Sequence, residues 1–180
     1  MTDQLTTDES PLETTDWGPE RSRTVTWQDP TQAAEAGLGM AGIDYIHAII
    51  AGTIPPPPIS QLIQMDIAEA EPGRVVFTCT PDESAYNPIG AVHGGLVCTL
   101  LDSVAGCALH TTLPQGKGYT SVEIKVNYLK AVRASSGLLT ATGTVVRPGS
   151  RVGFTEGVVT DESGAIVATA TSTLLVFDLP

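Results

Sequence analysis

The pattern of apolar and polar residues divides the chain into three parts. Residues 1–35 are polar and acidic and show no period, which predicts a disordered tail. Isoleucines recur at helical spacing between residues 43 and 50, so we expect a short amphipathic helix over about 41–51. Four prolines at 55–58 would end this helix, and residues 36–58 are therefore predicted to form a helix followed by a proline-rich linker.

The third part, residues 59–180, has the pattern of a folded domain. Two strands are predicted over 61–70 and 74–80, separated by a turn-forming Glu-Pro-Gly triplet. An apolar segment from Gly94 to His110 predicts one long helix, and the residues from Tyr119 to Phe177 predict four further strands joined largely by tight turns. This order favours an antiparallel sheet with one helix packed against it, an α+β fold.

The long helix is apolar nearly all round. A single sheet covers only one face of such a helix, so something else must cover the rest. The simplest cover is a second subunit, which predicts a homo-oligomer: a dimer, or a tetramer made of two dimers.

Composition and charge argue against several classes of function. The formal net charge of −11 disfavours a nucleic-acid partner, and no polybasic cluster suits an anionic membrane surface. The first residues lack the charged and apolar regions of a secretory signal, and the longest apolar run is too short to span a bilayer. Three cysteines without a CxxC pair indicate reduced thiols, and no cluster of ligands predicts a metal site. We therefore expect a cytoplasmic protein.

Asp102 is the most informative single residue of the sequence. It is the only Asp, Glu, Lys or Arg between His93 and His110, and its neighbours one turn away are small and uncharged. An unpaired carboxylate on such a surface costs free energy unless a group outside the helix satisfies it. Asp102 is then either a structural carboxylate bonded to nearby backbone or a functional one, and perturbed groups of this kind gather at functional sites.

The start of the same helix carries a second signal, the triplet His93-Gly94-Gly95. Glycines at a helix start expose backbone N–H groups at the positive end of the helix dipole, which is equivalent to about half an elementary charge. Because Gly94 has no β-carbon, a substrate carbonyl could approach its N–H group closely. Glycine also serves in plain turns and in close packing, so the pair alone is weak evidence.

The segment NPIGAVHGG at residues 87–95, with Asp102 nine residues after the histidine, resembles the signature of the hotdog-fold thioesterases. It is most similar to the phenylacetate-degradation branch, the PaaI-type enzymes, and to their acyl-CoA thioesterase relatives. The resemblance covers about residues 59–177. It implies a curved antiparallel sheet wrapped around the long helix, and two subunits whose sheets join edge to edge.

The resemblance also implies roles for individual residues. The Gly94 N–H group would hold the thioester oxygen, and Asp102 would act as general base on water or attack directly as nucleophile. Asn87 matches a position whose amide lies beside the thioester or the attacking water. Ser121, with Thr120 as an adjacent candidate, matches a hydroxyl that helps to place water.

Other positions of the motif are less directly involved. His93 and Gly95 belong to the substrate-binding loop, and the His93 ring is expected to bond loop backbone and not to act in acid–base chemistry. Gly106 is a departure, because some hotdog thioesterases carry a water-binding hydroxyl at this position. The site expected from the resemblance is composite, with Asn87 and Gly94 from one subunit and Asp102 from the other.

Arg147 and Arg151 flank a predicted hairpin loop in an otherwise acidic protein. Guanidinium groups bind phosphates in a forked geometry, so this loop is a candidate contact for the coenzyme A phosphates, with a plain solvated turn as the alternative. The predicted activity is hydrolysis of an acyl- or aryl-coenzyme A, which needs no cofactor beyond the coenzyme A of the substrate. The rival hypotheses are a non-catalytic acyl-CoA-binding hotdog module and, third, a hotdog hydratase or dehydratase.

Overall fold

One long helix and a six-stranded antiparallel sheet dominate the fold. The computed structural model describes residues 16–179, so the part of the predicted tail that precedes residue 16 lies outside the described residues. In chain order, the helices and strands are α1 (Pro30–Leu38), α2 (Gly42–Ile50), α3 (Pro58–Ile63), β1 (Met65–Glu71), β2 (Arg74–Cys79), α4 (Gly94–His110), β3 (Lys117–Tyr128), β4 (Leu139–Arg147), β5 (Val152–Thr160) and β6 (Ile166–Asp178).

The strands form one sheet in the order β1-β2-β4-β5-β6-β3, and every neighbouring pair is antiparallel. The predicted order of two strands, a long helix and four strands is therefore confirmed, and so is the α+β class. The crossing through α4 sends β3 to the far side of the sheet, where it pairs with β6 alone. Strands β1 and β3 are consequently the two edges.

Helix α4 has the predicted bounds and packs across the middle of the sheet, against β4 and β5. Glycines on these strands let it approach closely. A β-carbon at Gly143 would overlap the backbone carbonyl of Val104, and one at Gly157 would come within 2.9 Å of the Leu101 side chain. The core consists of the inward side chains of the sheet and one face of α4, on which Leu100, Leu101 and Val104 are fully buried.

Helix α2 packs against the C-terminal end of α4 and against β1. The N–H group of Gly42 donates to the carbonyl of Leu113 at 3.0 Å, and a β-carbon at Gly42 would overlap the His110 carbonyl. Ile46 points inward and is buried. Part of the cover that α4 needs is therefore supplied by α2 of the same chain, within the range predicted to be helical.

Two predicted boundaries differ from the structure. The strand predicted over 61–70 begins only at Met65, because Pro58 starts the short helix α3, which ends at Gln64 in a left-handed conformation with φ of 57°. Helix α1, capped by the Asp29 side chain, extends across residue 35, the boundary predicted for the tail. Residues 30–38 have no apolar period from which α1 could be predicted.

Residues 16–29 contain no helix or strand, yet they contact the domain. Arg21 forms an ion pair with Glu83, and Arg23 donates to the Leu62 carbonyl at 2.7 Å. Trp17 is 89% exposed, so its ring is not packed into the core. None of the helices within residues 16–179 is long and apolar enough to cross a bilayer.

The close approach of α4 to the sheet predicts a cost for any side chain at Gly143. We expect Gly143→Ala to lower the free energy of unfolding by about 1–3 kcal/mol, because the new methyl group would meet rigid helix backbone. Gly39→Ala is the matched control, since Gly39 has an ordinary φ of −86° and nothing within 4 Å of an added β-carbon. Urea unfolding of both variants is the measurement, and equal stabilities would contradict the packing argument.

Candidate active site

The start of α4 is shaped by His93, which is its N-cap residue. The ring Nδ1 atom accepts a hydrogen bond from the Gly95 N–H group at 2.8 Å, and the His93 N–H group donates to the Ala85 carbonyl at 2.7 Å. The Gly95 N–H group is thus used by the cap. The Gly94 N–H group is one of those that a helix start leaves without an intrahelical partner, and no acceptor for it is found among residues 16–179.

Asn87 organises the loop that precedes α4. Its Oδ1 atom accepts hydrogen bonds from the N–H groups of Ile89 and Ala91, at 3.1 and 3.2 Å. Asn87 and Gly94 line the same cavity, which has a volume of about 340 Å³. The Nδ2 group of Asn87, which can donate two hydrogen bonds, is the part of this side chain that remains for a ligand.

Tyr128, at the end of β3, fixes the position of this helix start. Its hydroxyl donates to the Gly94 carbonyl at 2.9 Å, and its ring would lie 3.1 Å from a β-carbon at residue 94. The glycine is therefore needed for the contact with Tyr128 as well as for access to its own N–H group. Lys130, two residues further, lines the same cavity and forms an ion pair with Asp161 at 2.5 Å. Neither residue was recognised from the sequence.

Asp102 lies further along α4, where it is half-buried and bonded to β3. The Ser121 hydroxyl donates to its Oδ1 atom at 2.7 Å. The register of β3 shifts between Ser121 and Glu123, which leaves Val122 as an extra residue, and such bulges often redirect a side chain next to an active site. The ion pairs found within residues 16–179 do not involve Asp102, so its partner is a neutral hydroxyl.

Asp102 and Ser121 line a second cavity of about 270 Å³. Gly106 leaves space here for the Tyr119 ring, which would come within 2.6 Å of a β-carbon at residue 106. Burial raises the pKa of the Cys107 thiol to about 11. This thiol is therefore protonated at neutral pH and is a poor nucleophile, in agreement with the absence of a partner in the sequence.

The two groups of residues are separate within one chain. Asp102 follows Gly94 by eight residues, which corresponds to about 12 Å along the helix axis. A single thioester group is too small to contact both. Both groups nevertheless reach the same edge of the sheet, because Tyr128 beside Gly94 and Ser121 beside Asp102 are both residues of β3.

Arg147 and Arg151 are exposed on the hairpin between β4 and β5. They line neither of the two cavities just described. The register carries the hairpin to the end of the sheet where β3 begins, because Val152 pairs with Leu175 and Leu175 pairs with Thr120. The arginines are thus at the Ser121 end of β3 and away from Gly94 of the same chain. No metal-binding cluster of His, Cys, Asp or Glu occurs in the described part of the chain.

The chain is similar in sequence to known thioesterases. The sequence profile of the thioesterase superfamily matches residues 89–168, which include Gly94, Asp102 and Ser121. Human acyl-coenzyme A thioesterase 13 is 28% identical over 106 residues, which are 58% of this chain and 74% of that protein. The 1,4-dihydroxy-2-naphthoyl-CoA hydrolase of Listeria monocytogenes is 25% identical over 118 residues, 66% of this chain and 94% of the relative.

Solved structures give the same result for the fold. A phenylacetic acid degradation-related protein from Ralstonia eutropha superimposes with a TM-score of 0.67 at 26% identity, over 73% of this chain and 98% of that one. A Streptococcus mutans protein crystallised with acetyl-CoA superimposes with a TM-score of 0.58 at 29% identity, over 63% and 89%. The chain thus has the hotdog fold of the solved thioesterases, is similar in sequence to the thioesterase superfamily over residues 89–168, and resembles a PaaI-type protein, as the sequence motif predicted.

Proposed function

We propose that the protein hydrolyses an acyl- or aryl-coenzyme A thioester to the free acid and coenzyme A, with Asp102 as its catalytic carboxylate. The observation that carries this proposal is the pairing of the Asp102 carboxylate with the Ser121 hydroxyl at a cavity beside the sheet edge. The relatives named for acyl-CoA hydrolysis and the neighbour with bound acetyl-CoA support the substrate class.

The Gly94 N–H group would donate to the thioester oxygen and stabilise the negative charge that develops there. Its position at a helix start adds the dipole of α4 to the hydrogen bond. Removing one such donor typically costs about 2.7–4 kcal/mol of transition-state stabilisation. Asn87, in the same cavity, would orient the thioester or the attacking water with its amide N–H groups.

Asp102 has two possible routes in this proposal. As general base it accepts a proton from water while the water oxygen attacks the carbonyl carbon, after which the C–S bond breaks and the sulfur takes up the proton. As nucleophile its oxygen attacks the carbon, the thiolate leaves, and water hydrolyses the resulting anhydride. In both routes the Ser121 hydroxyl holds the carboxylate in position and keeps one of its oxygens occupied.

A homodimer would complete the site. Strand β3 is a sheet edge of 12 residues, and its Val122 side chain is 65% exposed. Antiparallel pairing of two β3 strands about a two-fold axis brings the Ser121 end of one strand beside the Tyr128 end of the other. The Asp102 of one subunit would then face the Gly94 of the second, which resolves the separation of about 12 Å within one chain.

The same symmetry bears on the phosphate contacts. Arg147 and Arg151 lie at the Ser121 end of their own sheet, so in such a dimer they would lie at the Gly94 end of the second subunit. Lys130 lines the same cavity as Gly94, but its ammonium group already forms an ion pair with the Asp161 carboxylate. The two arginines are therefore the proposed contacts for the nucleotide phosphates. The outer face of the sheet, where Phe154 is exposed, is the proposed surface for pairing two dimers into a tetramer.

Replacing the carboxylate tests the central assignment. We expect Asp102→Asn to keep the fold and to lose at least about a hundredfold in kcat, the scale of losing a general base. Asp44→Asn, which changes an exposed carboxylate on α2, is the control and should leave kcat unchanged. Release of free thiol from a panel of acyl- and aryl-CoA esters is the measurement. Hydrolysis at the wild-type rate by Asp102→Asn would refute the assignment, and binding of esters without turnover by the wild type would favour a non-catalytic module.

Mixed dimers test whether the site is composite. Asp102→Asn lacks the base, and Gly94→Ala places a methyl group against Tyr128 at the donor. When the two variants, each first shown to be inactive by itself, are unfolded and refolded together, half of the dimers contain one chain of each, and each mixed dimer regains one of its two sites. About a quarter of the wild-type activity should return. If mixed dimers form without activity, each site is built within one chain.

The His93 variants separate capping from acid–base chemistry. Asn is a good N-cap residue and Ala is a poor one, so His93→Ala should lose about 1 kcal/mol of stability while His93→Asn loses little. If the ring only caps α4, His93→Asn also keeps most of kcat. A large and equal loss of kcat in both variants would show that the imidazole itself takes part in the reaction.

A further inference from the structure

The cavity beside Asp102 is a candidate for selecting the acyl group, and this inference rests on the proposed thioesterase activity. Its volume is about 270 Å³, and its walls come from α2, α3 and the segment before it, β1, β2, α4 and β3. Most of this wall is apolar, with Ile49 contributed by α2 and Met65 and Phe77 by the sheet. The reacting carboxylate is at one side of the cavity, so a group attached to the thioester carbon can extend into it.

Aromatic rings line the part of this cavity near the C-terminal end of α4. The His110 ring lies between Tyr45 of α2 and Tyr119 of β3, with ring-centroid distances of 5.7 and 5.4 Å. His110 follows Asp102 by eight residues, so its position is about 12 Å further along the helix axis. The Tyr119 ring packs against Gly106, where a β-carbon would overlap it. A volume of about 270 Å³ accommodates a short or medium-length acyl group or a single ring, and is small for a long chain.

Asp102 is the one Asp, Glu, Lys or Arg of the cavity wall. Burial lowers the pKa of His110 and raises the pKa of Tyr119 well above its usual value, so both rings are neutral there. No Lys or Arg from any of the packed elements lines the cavity. A second carboxylate on the acyl group would lose its hydration, face Asp102 and find no cation among the residues that line this cavity, which is unfavourable.

We infer that this cavity is the acyl pocket, that it selects uncharged acyl groups of short to medium length or with a single ring, and that Ile49 sets their size. Ile49 lies on the wall, on the helix α2 that closes the pocket over α4. The next residue, Ile50, is 41% exposed and does not line the pocket. The two isoleucines are therefore a matched pair of the same residue type on the same helix.

The test compares esters that differ in one property. Hexanoyl-CoA and adipoyl-CoA have six acyl carbons each and differ in the terminal carboxylate; hexanoyl-, decanoyl- and palmitoyl-CoA differ only in length, and phenylacetyl-CoA supplies a ring. The wild type should hydrolyse hexanoyl-CoA with a kcat/KM at least about tenfold above that for adipoyl-CoA, a ratio that corresponds to about 1.4 kcal/mol. Palmitoyl-CoA should be a poorer substrate than hexanoyl-CoA.

The variants should move the length preference in opposite directions. Ile49→Ala opens the pocket and should raise kcat/KM for decanoyl-CoA relative to hexanoyl-CoA, by about fourfold for each further methylene that becomes buried. Ile49→Phe narrows the pocket and should shift the preference to shorter groups, which keeps the test informative if one variant folds poorly. Ile50→Ala should keep the wild-type profile.

The outcomes separate this inference from the proposed function. Hydrolysis that depends on Asp102 but favours adipoyl-CoA, or the same length profile in Ile49→Ala, Ile49→Phe and Ile50→Ala, would overturn the pocket assignment and leave the thioesterase activity standing. Failure of the wild type to hydrolyse any ester of the panel would overturn both.

Discussion

The fold depends on how closely α4 can approach the sheet. Gly143 and Gly157 remove side chains from the strands at the point where the helix crosses, so helix backbone and strand backbone are almost in contact. Because an antiparallel sheet twists, its strands can curve around both sides of a helix that packs this closely. The close approach also fixes the level of α4 relative to β3, and therefore which residues of the two elements meet.

The position of α4 relative to β3 determines both halves of the candidate site. At one end of β3 the Tyr128 hydroxyl meets the first residue of α4, and near the other end Ser121 meets Asp102. The helix supplies the backbone donor and the carboxylate, while the strand supplies the two hydroxyl groups that position them. A change in the packing of α4 would thus disturb both halves together, although they lie about 12 Å apart.

The sequence predicted the parts of the site that one element contains. The lone charge at Asp102 and the glycines at the start of α4 stand out in an apolar segment, and the helix bounds were confirmed. Tyr128 and Tyr119 could not be recognised, because they lie on a strand of ordinary alternation and acquire their roles only through α4. The same holds for α2, whose apolar period was visible but whose place over α4 is a tertiary contact without a local signal.

The extra residue in β3 has a consequence for association. A regular exposed edge can pair with almost any extended chain, which makes such edges a source of aggregation. Val122 interrupts the ladder next to Ser121, so an incoming strand must tolerate the interruption at a matching place. An edge of this kind is poorly suited to indiscriminate fibril growth and discriminates in favour of a chain with the same irregularity. The bulge at Val122, which lies beside the hydrogen bond from Ser121 to Asp102, thereby also limits the pairing of this edge with unrelated strands.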